Sequence, residues 1–150
     1  MVKIPCHLRK FIRERLFPFV PFIIRFSRFS GVLEALIDTG SPHTVLSTKD
    51  ALKLRLPIKK WRRGEPISLA GFRFFNHPIS NVTITFRKED NNSLQITVPK
   101  MGVLIPTKIN RKVLEEVKHI PSIIGNDFLE EQKFALYYNP SGRIAYLERE

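Results

Sequence analysis

The stretch Leu36-Ile37-Asp38-Thr39-Gly40-Ser41 decides how the rest of the chain is interpreted. Apolar residues lead up to it, and the period of two in a β-strand places Leu33, Ala35 and Ile37 on one face and Asp38 on the other. The turn that follows contains glycine, which permits a tight backbone path, and ends in a proline that fixes the exit. The stretch therefore predicts one carboxylate held on a stiff loop, although Asp-x-Gly also closes ordinary hairpins.

A second stretch, Ser122-Ile123-Ile124-Gly125-Asn126-Asp127-Phe128-Leu129, places two bulky apolar residues and a glycine at the start of a predicted helix. In this helix Asp127, followed by Glu130, is predicted to be a cap and not a catalytic acid. Together with the segment from Glu34 to Leu46, it resembles the active-site segments of retropepsin-like aspartic proteases. The resemblance implies an all-β, retropepsin-like acid protease fold: a closed, barrel-like subunit with a flap hairpin and one or two short helices, active as a homodimeric aspartic endopeptidase.

The resemblance also assigns roles to individual residues. Asp38 is the candidate catalytic carboxylate, Thr39 fixes the loop geometry across the dimer, and Gly40 leaves room for the substrate backbone. Ser41 stands where retroviral enzymes have alanine, and its hydroxyl is expected to hydrogen-bond Asp38 and to favour an acidic pH optimum. Candidate substrate-binding residues lie in and beside the two motifs and at the tip of the predicted flap: Leu36, Ser41, Val45, Leu69, Ala70, Gly71, Phe72, Pro121 and Ile123.

Peptide hydrolysis by this route needs two carboxylates, one ionised to activate water and one protonated to bind the carbonyl oxygen. The chain has four aspartates, at positions 38, 50, 90 and 127, and only the first lies in an active-site context. No internal repeat supplies a second such loop. We therefore expect a symmetric homodimer with Asp38 from each subunit acting on a peptide or protein substrate, without a metal or cofactor.

The net charge of +11 leaves other functions open. One basic block lies before residue 30, and a second is Lys59-Lys60-Trp61-Arg62-Arg63. Such blocks favour contact with nucleic acid, an anionic membrane surface or an acidic peptide, and Trp61 is compatible with base stacking. A solvated basic face is the simpler interpretation, because no nucleic-acid motif accompanies the charge. A third possibility is a non-catalytic dimer that keeps the fold and binds peptide strands or a partner protein.

The chain is predicted to consist of a basic amino-terminal extension, residues 1–20, and a retropepsin-like domain, residues 21–150. Leu8, Phe11 and Leu16 recur at helical spacing, which predicts a short basic amphipathic helix in the extension. No stretch is apolar enough to span a membrane and no secretory signal is evident, so a cytoplasmic protein is expected. The single cysteine excludes an internal disulfide and agrees with a reducing compartment.

Within the domain, alternating apolar and polar residues predict mainly hairpins. Short helices are predicted near residues 48–54, with Ser47 or Thr48 as the cap, near residues 110–119 and after Gly125. The flap is predicted near residues 65–75. The predicted strands are 22–26, 32–37, 44–47, 66–69, 72–75, 82–86, 94–98, 101–105, 123–125, 134–138 and 143–147.

Overall fold

The structure, a computed structural model that describes residues 1–150, consists mainly of β-strands. The strands are β1 (Val2–Pro5), β2 (His7–Lys10), β3 (Leu16–Phe26), β4 (Phe29–Ile37), β5 (Val45–Leu46), β6 (Glu65–Leu69), β7 (Phe72–Arg87), β8 (Ser93–Pro106), β9 (Ser122–Ile124), β10 (Ala135–Asn139) and β11 (Ile144–Arg149). The helices are α1 (Thr48–Lys53), α2 (Arg111–Val117) and α3 (Asn126–Glu131). The all-β prediction is confirmed. The three short α-helices lie where the residue pattern predicted them, whereas the resemblance implied one or two.

Most strands belong to one sheet that closes on itself. Its order is β2-β3-β4-β9-β5-β8-β7-β6, and β3 also pairs with β7, so that six strands form a closed ring with β2 and β6 outside it. Most neighbours are antiparallel, but β4 pairs with β9 and β5 with β8 in parallel. A second, three-stranded sheet has the order β1-β11-β10. The closed, barrel-like subunit expected from the resemblance is therefore present.

The interior of the ring holds the main core, a cluster of 27 buried residues. The alternation predicted for β4 is observed, because Leu33, Ala35 and Ile37 are buried in this core while Leu36 and Asp38 are only partly buried. Large apolar side chains on β3, β7 and β8 supply most of the remaining contacts. The strand that leads to Asp38 is thus anchored along one whole face.

The amino-terminal segment differs from its prediction, because it forms two strands and no amphipathic helix. β1 pairs with β11, and β2 pairs with the first residues of β3. Between β2 and β3 the chain reverses through a 3-10 turn in which Arg13 and Glu14 have φ values of 55° and 62°. Ile12, which a helix would have buried, is 60% exposed. Pairing with β3 and β11 overrides the helical spacing, and the predicted boundary at residue 20 falls inside β3.

Two long strands each combine segments that were predicted as separate strands. Residues 72–75 and 82–86 belong to β7, and residues 94–98 and 101–105 belong to β8, which stays paired with β7 past Pro99. Asn81, which lies opposite Pro99, has a φ of 54°, so the backbone of β7 is locally distorted at this position. No helix in the structure has the length and apolarity that crossing a membrane requires.

Candidate active site

The Asp38 carboxylate lies where β4 ends and the turn begins. The backbone N–H of Asp38 donates to the carbonyl of Ile124 at 3.0 Å, and that of Ser41 donates to the carbonyl of Asp38 at 3.1 Å. The carboxylate oxygen Oδ1 accepts the backbone N–H of Gly40 at 2.9 Å. Oδ2 has no hydrogen-bond partner within the chain. The sequence-predicted loop therefore presents a partly buried carboxylate with one oxygen fixed and the other free.

The second motif packs directly against this loop. β4 and β9 are parallel neighbours, with Leu36 opposite Ile123. The N–H of Asn126 donates to the carbonyl of Ser41 at 2.7 Å. A Cβ atom on Gly125 would lie 2.4 Å from the carbonyl oxygen of His43 and 2.7 Å from that of Ser41, so only glycine fits this junction. The two motifs singled out in the sequence thus form one rigid unit.

Thr44 and Asp127 join the end of the loop to α3. The Thr44 hydroxyl donates to Asp127 Oδ1 at 2.7 Å and accepts the N–H of Gly125 at 3.0 Å. The N–H of Thr44 donates to Asp127 Oδ2 at 3.1 Å. The prediction that Asp127 caps the helix is wrong, because Gly125 is the N-cap residue and makes no side-chain cap. The Asp127 carboxylate holds Thr44, and Phe128 N–H also donates to it at 2.7 Å.

The Ser41 hydroxyl does not hydrogen-bond Asp38, which corrects the sequence-based expectation. It donates to the carbonyl of His43 at 2.9 Å, and it accepts the His43 N–H at 3.4 Å. The hydroxyl therefore stabilises the end of the loop, and the Asp38 carboxylate accepts its hydrogen bond from Gly40. The hydrogen bond from Ser41 to Asp38, on which the expected acidic pH optimum was based, is therefore absent.

Five of the candidate substrate-binding residues gather in one place. Val45 and Ile123 are buried in a six-residue apolar cluster that is separate from the main core, and Leu69 and Phe72 of the flap strands pack against it. Leu36 lies next to Ile123 through the β4–β9 register. The structure thus brings the flap and both motifs to one small, largely buried apolar cluster.

The other candidates lie around this apolar cluster. Ala70 and Gly71 form the exposed flap tip, with φ values of 51° and 82° that close a tight two-residue hairpin turn. Pro121 precedes β9 and lines a groove beside β4. Thr39 is exposed and lines a shallow basin of about 620 Å³ together with apolar residues of α3 and β10.

No family model matches the chain, and no curated protein matches it in sequence. Among solved structures, a retropepsin-like aspartic protease from Rickettsia conorii is 15% identical, with a TM-score of 0.54 over 97% of this chain and 89% of the other. The chain has the retropepsin-like fold. EIAV protease in complex with the inhibitor HBY-793 is 18% identical, with a TM-score of 0.44 over 87% of this chain and all of the other.

A buried polar network behind the second motif was not predicted from the sequence. The Ser122 hydroxyl donates to Asp50 Oδ2 at 2.5 Å and accepts the backbone N–H of Ser47 at 2.8 Å. The Ser47 hydroxyl caps α1 by accepting the N–H of Asp50 at 3.1 Å, as predicted. All three residues are buried. The cap was predictable from local sequence, whereas the contact with Ser122 depends on tertiary structure.

The charged residues of the second basic block are exposed, but the ring of Trp61 already packs against neighbouring rings. Trp61 stacks on His77 with ring centroids 4.8 Å apart and 10° between the ring planes, and it packs edge-on against Phe29. The His77 ring in turn contacts the carbonyl of Arg63 at 3.2 Å. The stack holds the segment before the flap, so base stacking by Trp61, one of the sequence-based alternatives, finds no support in the position of the ring.

The ionisable groups with shifted pKa values lie outside the Asp38 loop. Burial raises the pKa of Cys6 to about 12. A side-chain hydrogen bond to Glu34 raises the pKa of Arg9. Asp90 and Glu115 have lowered pKa values, chiefly because the first accepts a backbone N–H and the second a lysine ammonium. No group of three or more His, Cys, Asp or Glu side chains is arranged to hold a metal ion.

Proposed function

We propose that the protein is a homodimeric aspartic endopeptidase in which Asp38 of each subunit forms the catalytic pair. The observation that carries the proposal is the fixed carboxylate at the end of β4, braced by the second motif through the Ile124 carbonyl and the Gly125 junction. Catalytic groups act efficiently when the surrounding structure holds them in place before the substrate binds. A turn that merely closed a hairpin would not need this bracing.

The need for a second copy follows from the other aspartates. Asp50 is buried and hydrogen-bonded to Ser122, Asp127 is bound to Thr44, and Asp90 lies in the β7–β8 turn and accepts the N–H of Asn92. None of these carboxylates is placed beside Asp38. Because the chemistry needs two facing carboxylates, the partner carboxylate comes from the Asp38 of another subunit.

The surface around the catalytic loop supports this assembly. The basin beside Thr39 is lined by four apolar or aromatic side chains of α3, β10 and the segment between them: Leu129, Phe134, Leu136 and Tyr138. Tyr138 is 40% exposed, and β10 is the free edge of its sheet. An apolar surface and an open strand edge next to the two-fold axis suit contact with a second copy.

In the proposed mechanism the two Asp38 carboxylates share one proton. The ionised carboxylate takes a proton from the attacking water, and the protonated one donates a hydrogen bond to the scissile carbonyl oxygen. Gly40 lets the substrate backbone approach, and Thr39 fixes the two loops to one another. The apolar cluster that contains Val45 and Ile123, with the flap above it, supports a preference for apolar side chains around the cut.

The test is cleavage of an unbiased peptide library between about pH 3 and 7, where such a carboxylate pair titrates. The mass in solution is recorded for the wild type and for the Asp38→Asn variant. Cleavage that is lost in the variant while the dimer persists is the expected result. A dimer that cleaves nothing at any pH would instead point to a peptide-binding module, and a monomer would remove the basis of the proposal.

A further inference from the structure

A groove of about 600 Å³ lies beside the amino-terminal half of β4. Phe11, Phe19 and Pro121 form its apolar wall, while side chains of β2, α1 and the segment after α2 form a charged rim. Phe11 packs edge-on against Phe19 with ring centroids 6.0 Å apart. The amino-terminal segment, which the resemblance left without a role, therefore builds part of this β4 groove.

The β4 groove continues the face of the strand that carries the catalytic carboxylate. Side chains at every second position of a strand share a face, so Glu34 in the groove lies on the same face as Leu36 and Asp38. Four residues of extended strand separate Glu34 from Asp38, which corresponds to about 13 Å. A peptide extended along this face would reach the groove with a side chain roughly four residues from the scissile bond.

The charge of the groove is predominantly positive. Four cationic side chains (Arg9, Lys49, Lys53 and Lys118) face two anionic ones (Glu34 and Asp50). Both anions are already engaged, Glu34 with Arg9 and Asp50 with a serine hydroxyl.

The lysines, in contrast, leave positive charge available. Lys49 and Lys53 have no carboxylate partner among the ion pairs of the chain, which are four in number. Lys53 Nζ donates to the carbonyl of Val32 at 2.8 Å, which fixes its ammonium at the groove wall. Lys118 pairs only with Glu115, which does not line the groove. An anionic ligand would complement this rim.

We propose that the β4 groove binds an acidic side chain of the peptide substrate, roughly four residues from the scissile bond, next to an apolar side chain that packs on Phe11 and Phe19. This proposal rests on the proposed function, since it names the class of peptide that the same cleft accepts. It makes Lys49 and Lys53 specificity-determining residues outside the catalytic machinery.

The test uses pairs of peptides that share one cleaved sequence and differ only in carrying Asp or Glu, or the matching Asn or Gln, three to five residues from the cut. Turnover is measured with the wild-type protein at about pH 5, where most of these carboxylates are ionised. Binding of the same peptides is measured by fluorescence anisotropy with Asp38→Asn. The double variant Lys49→Gln/Lys53→Gln is compared with Lys59→Gln/Lys60→Gln, which removes the same charge from the second basic block.

We expect the groove variant to lower kcat/KM for the acidic peptides by about three- to tenfold, since two exposed ion pairs are lost, and to leave the amide peptides unchanged. The control variant should have little effect, and added salt should reduce the preference. Equal turnover and binding of acidic and amide peptides by the wild type would overturn the proposal. So would an equal loss in the control variant, because the net charge alone would then explain the preference. If no peptide is cleaved, the proposed function fails, whereas the binding comparison still decides whether the groove selects acidic peptides.

Discussion

Thr44→Val is the substitution that most directly tests whether the two motifs act as one unit. Valine has nearly the shape of threonine, so it fills the buried site but removes the hydroxyl, which donates to Asp127 at 2.7 Å and accepts the Gly125 N–H at 3.0 Å. A neutral hydrogen bond contributes about 1 kcal/mol and one to a charged group about 1.5–3 kcal/mol. Because Asp127 is itself exposed, we take the lower end and expect a loss of about 2–3 kcal/mol.

This loss should be visible in thermal unfolding. For a chain of this length, 1 kcal/mol corresponds to roughly 2–4 °C in Tm, so the variant should melt about 4–12 °C below the wild type. Protein concentration must be the same in both samples, because dimer formation would stabilise the folded state by mass action. Peptide cleavage should fall by about tenfold to a hundredfold, since displacing a catalytic group by about 1 Å can cost about a hundredfold.

Thr44→Ser is the matched control, because it keeps the hydroxyl and removes only a methyl group. It should retain most of the stability and activity. If valine and serine variants melt at the same temperature as the wild type, the hydroxyl does not connect the loop to α3. If the valine variant is destabilised but cleaves normally, the contact is structural and does not position Asp38.

Three further predictions concern other parts of the fold. Gly125→Ala should cost about 1–3 kcal/mol in urea unfolding, because its Cβ would overlap two backbone carbonyls, and wild-type stability would contradict the packing described here. Ala70→Asn should raise the Tm by a few degrees, because Ala70 has a φ of 51° and asparagine tolerates this region; an unchanged or lower Tm would show that the flap turn is not strained. Cys6, whose pKa burial raises to about 12, should react with iodoacetamide at about pH 8 only after unfolding, and fast labelling of the native chain would refute this.

The parts of the fold that the sequence predicted correctly are those set by local patterns. The alternation before Asp38 required one buried face, and the glycine at 125 marked the start of a helix, so β4, β9 and α3 were found with nearly correct bounds. The Ser47 cap was likewise local, since serine accepts an N–H three residues on. Such features depend on neighbours within a few residues.

The wrong or missing predictions depend on contacts between distant segments. The helical spacing from Leu8 to Leu16 is real, but β3 offers that segment a strand partner, and pairing outweighs weak helix propensity. Asp127 was predicted to cap a helix, but its carboxylate binds Thr44 instead. The capping pattern could not indicate this contact, because Thr44 lies 83 residues earlier in the chain. Ser41 could satisfy its hydroxyl on the backbone two residues away, as serine often does in loops.

The position of the Asp38 carboxylate links the fold to the need for an external partner. Parallel pairing of β4 with β9 fixes the backbone at the loop entrance, and Gly40 fixes one carboxylate oxygen. The remaining oxygen finds no donor in the chain, although the Asp38 N–H and the Ser41 carbonyl beside it are hydrogen-bonded to the second motif. The mechanism that we propose needs two facing carboxylates, and the other three aspartates of the chain are hydrogen-bonded elsewhere. In the proposed dimer, Asp38 of another subunit lies across the apolar basin beside Thr39 and supplies the second carboxylate without any change in the subunit itself.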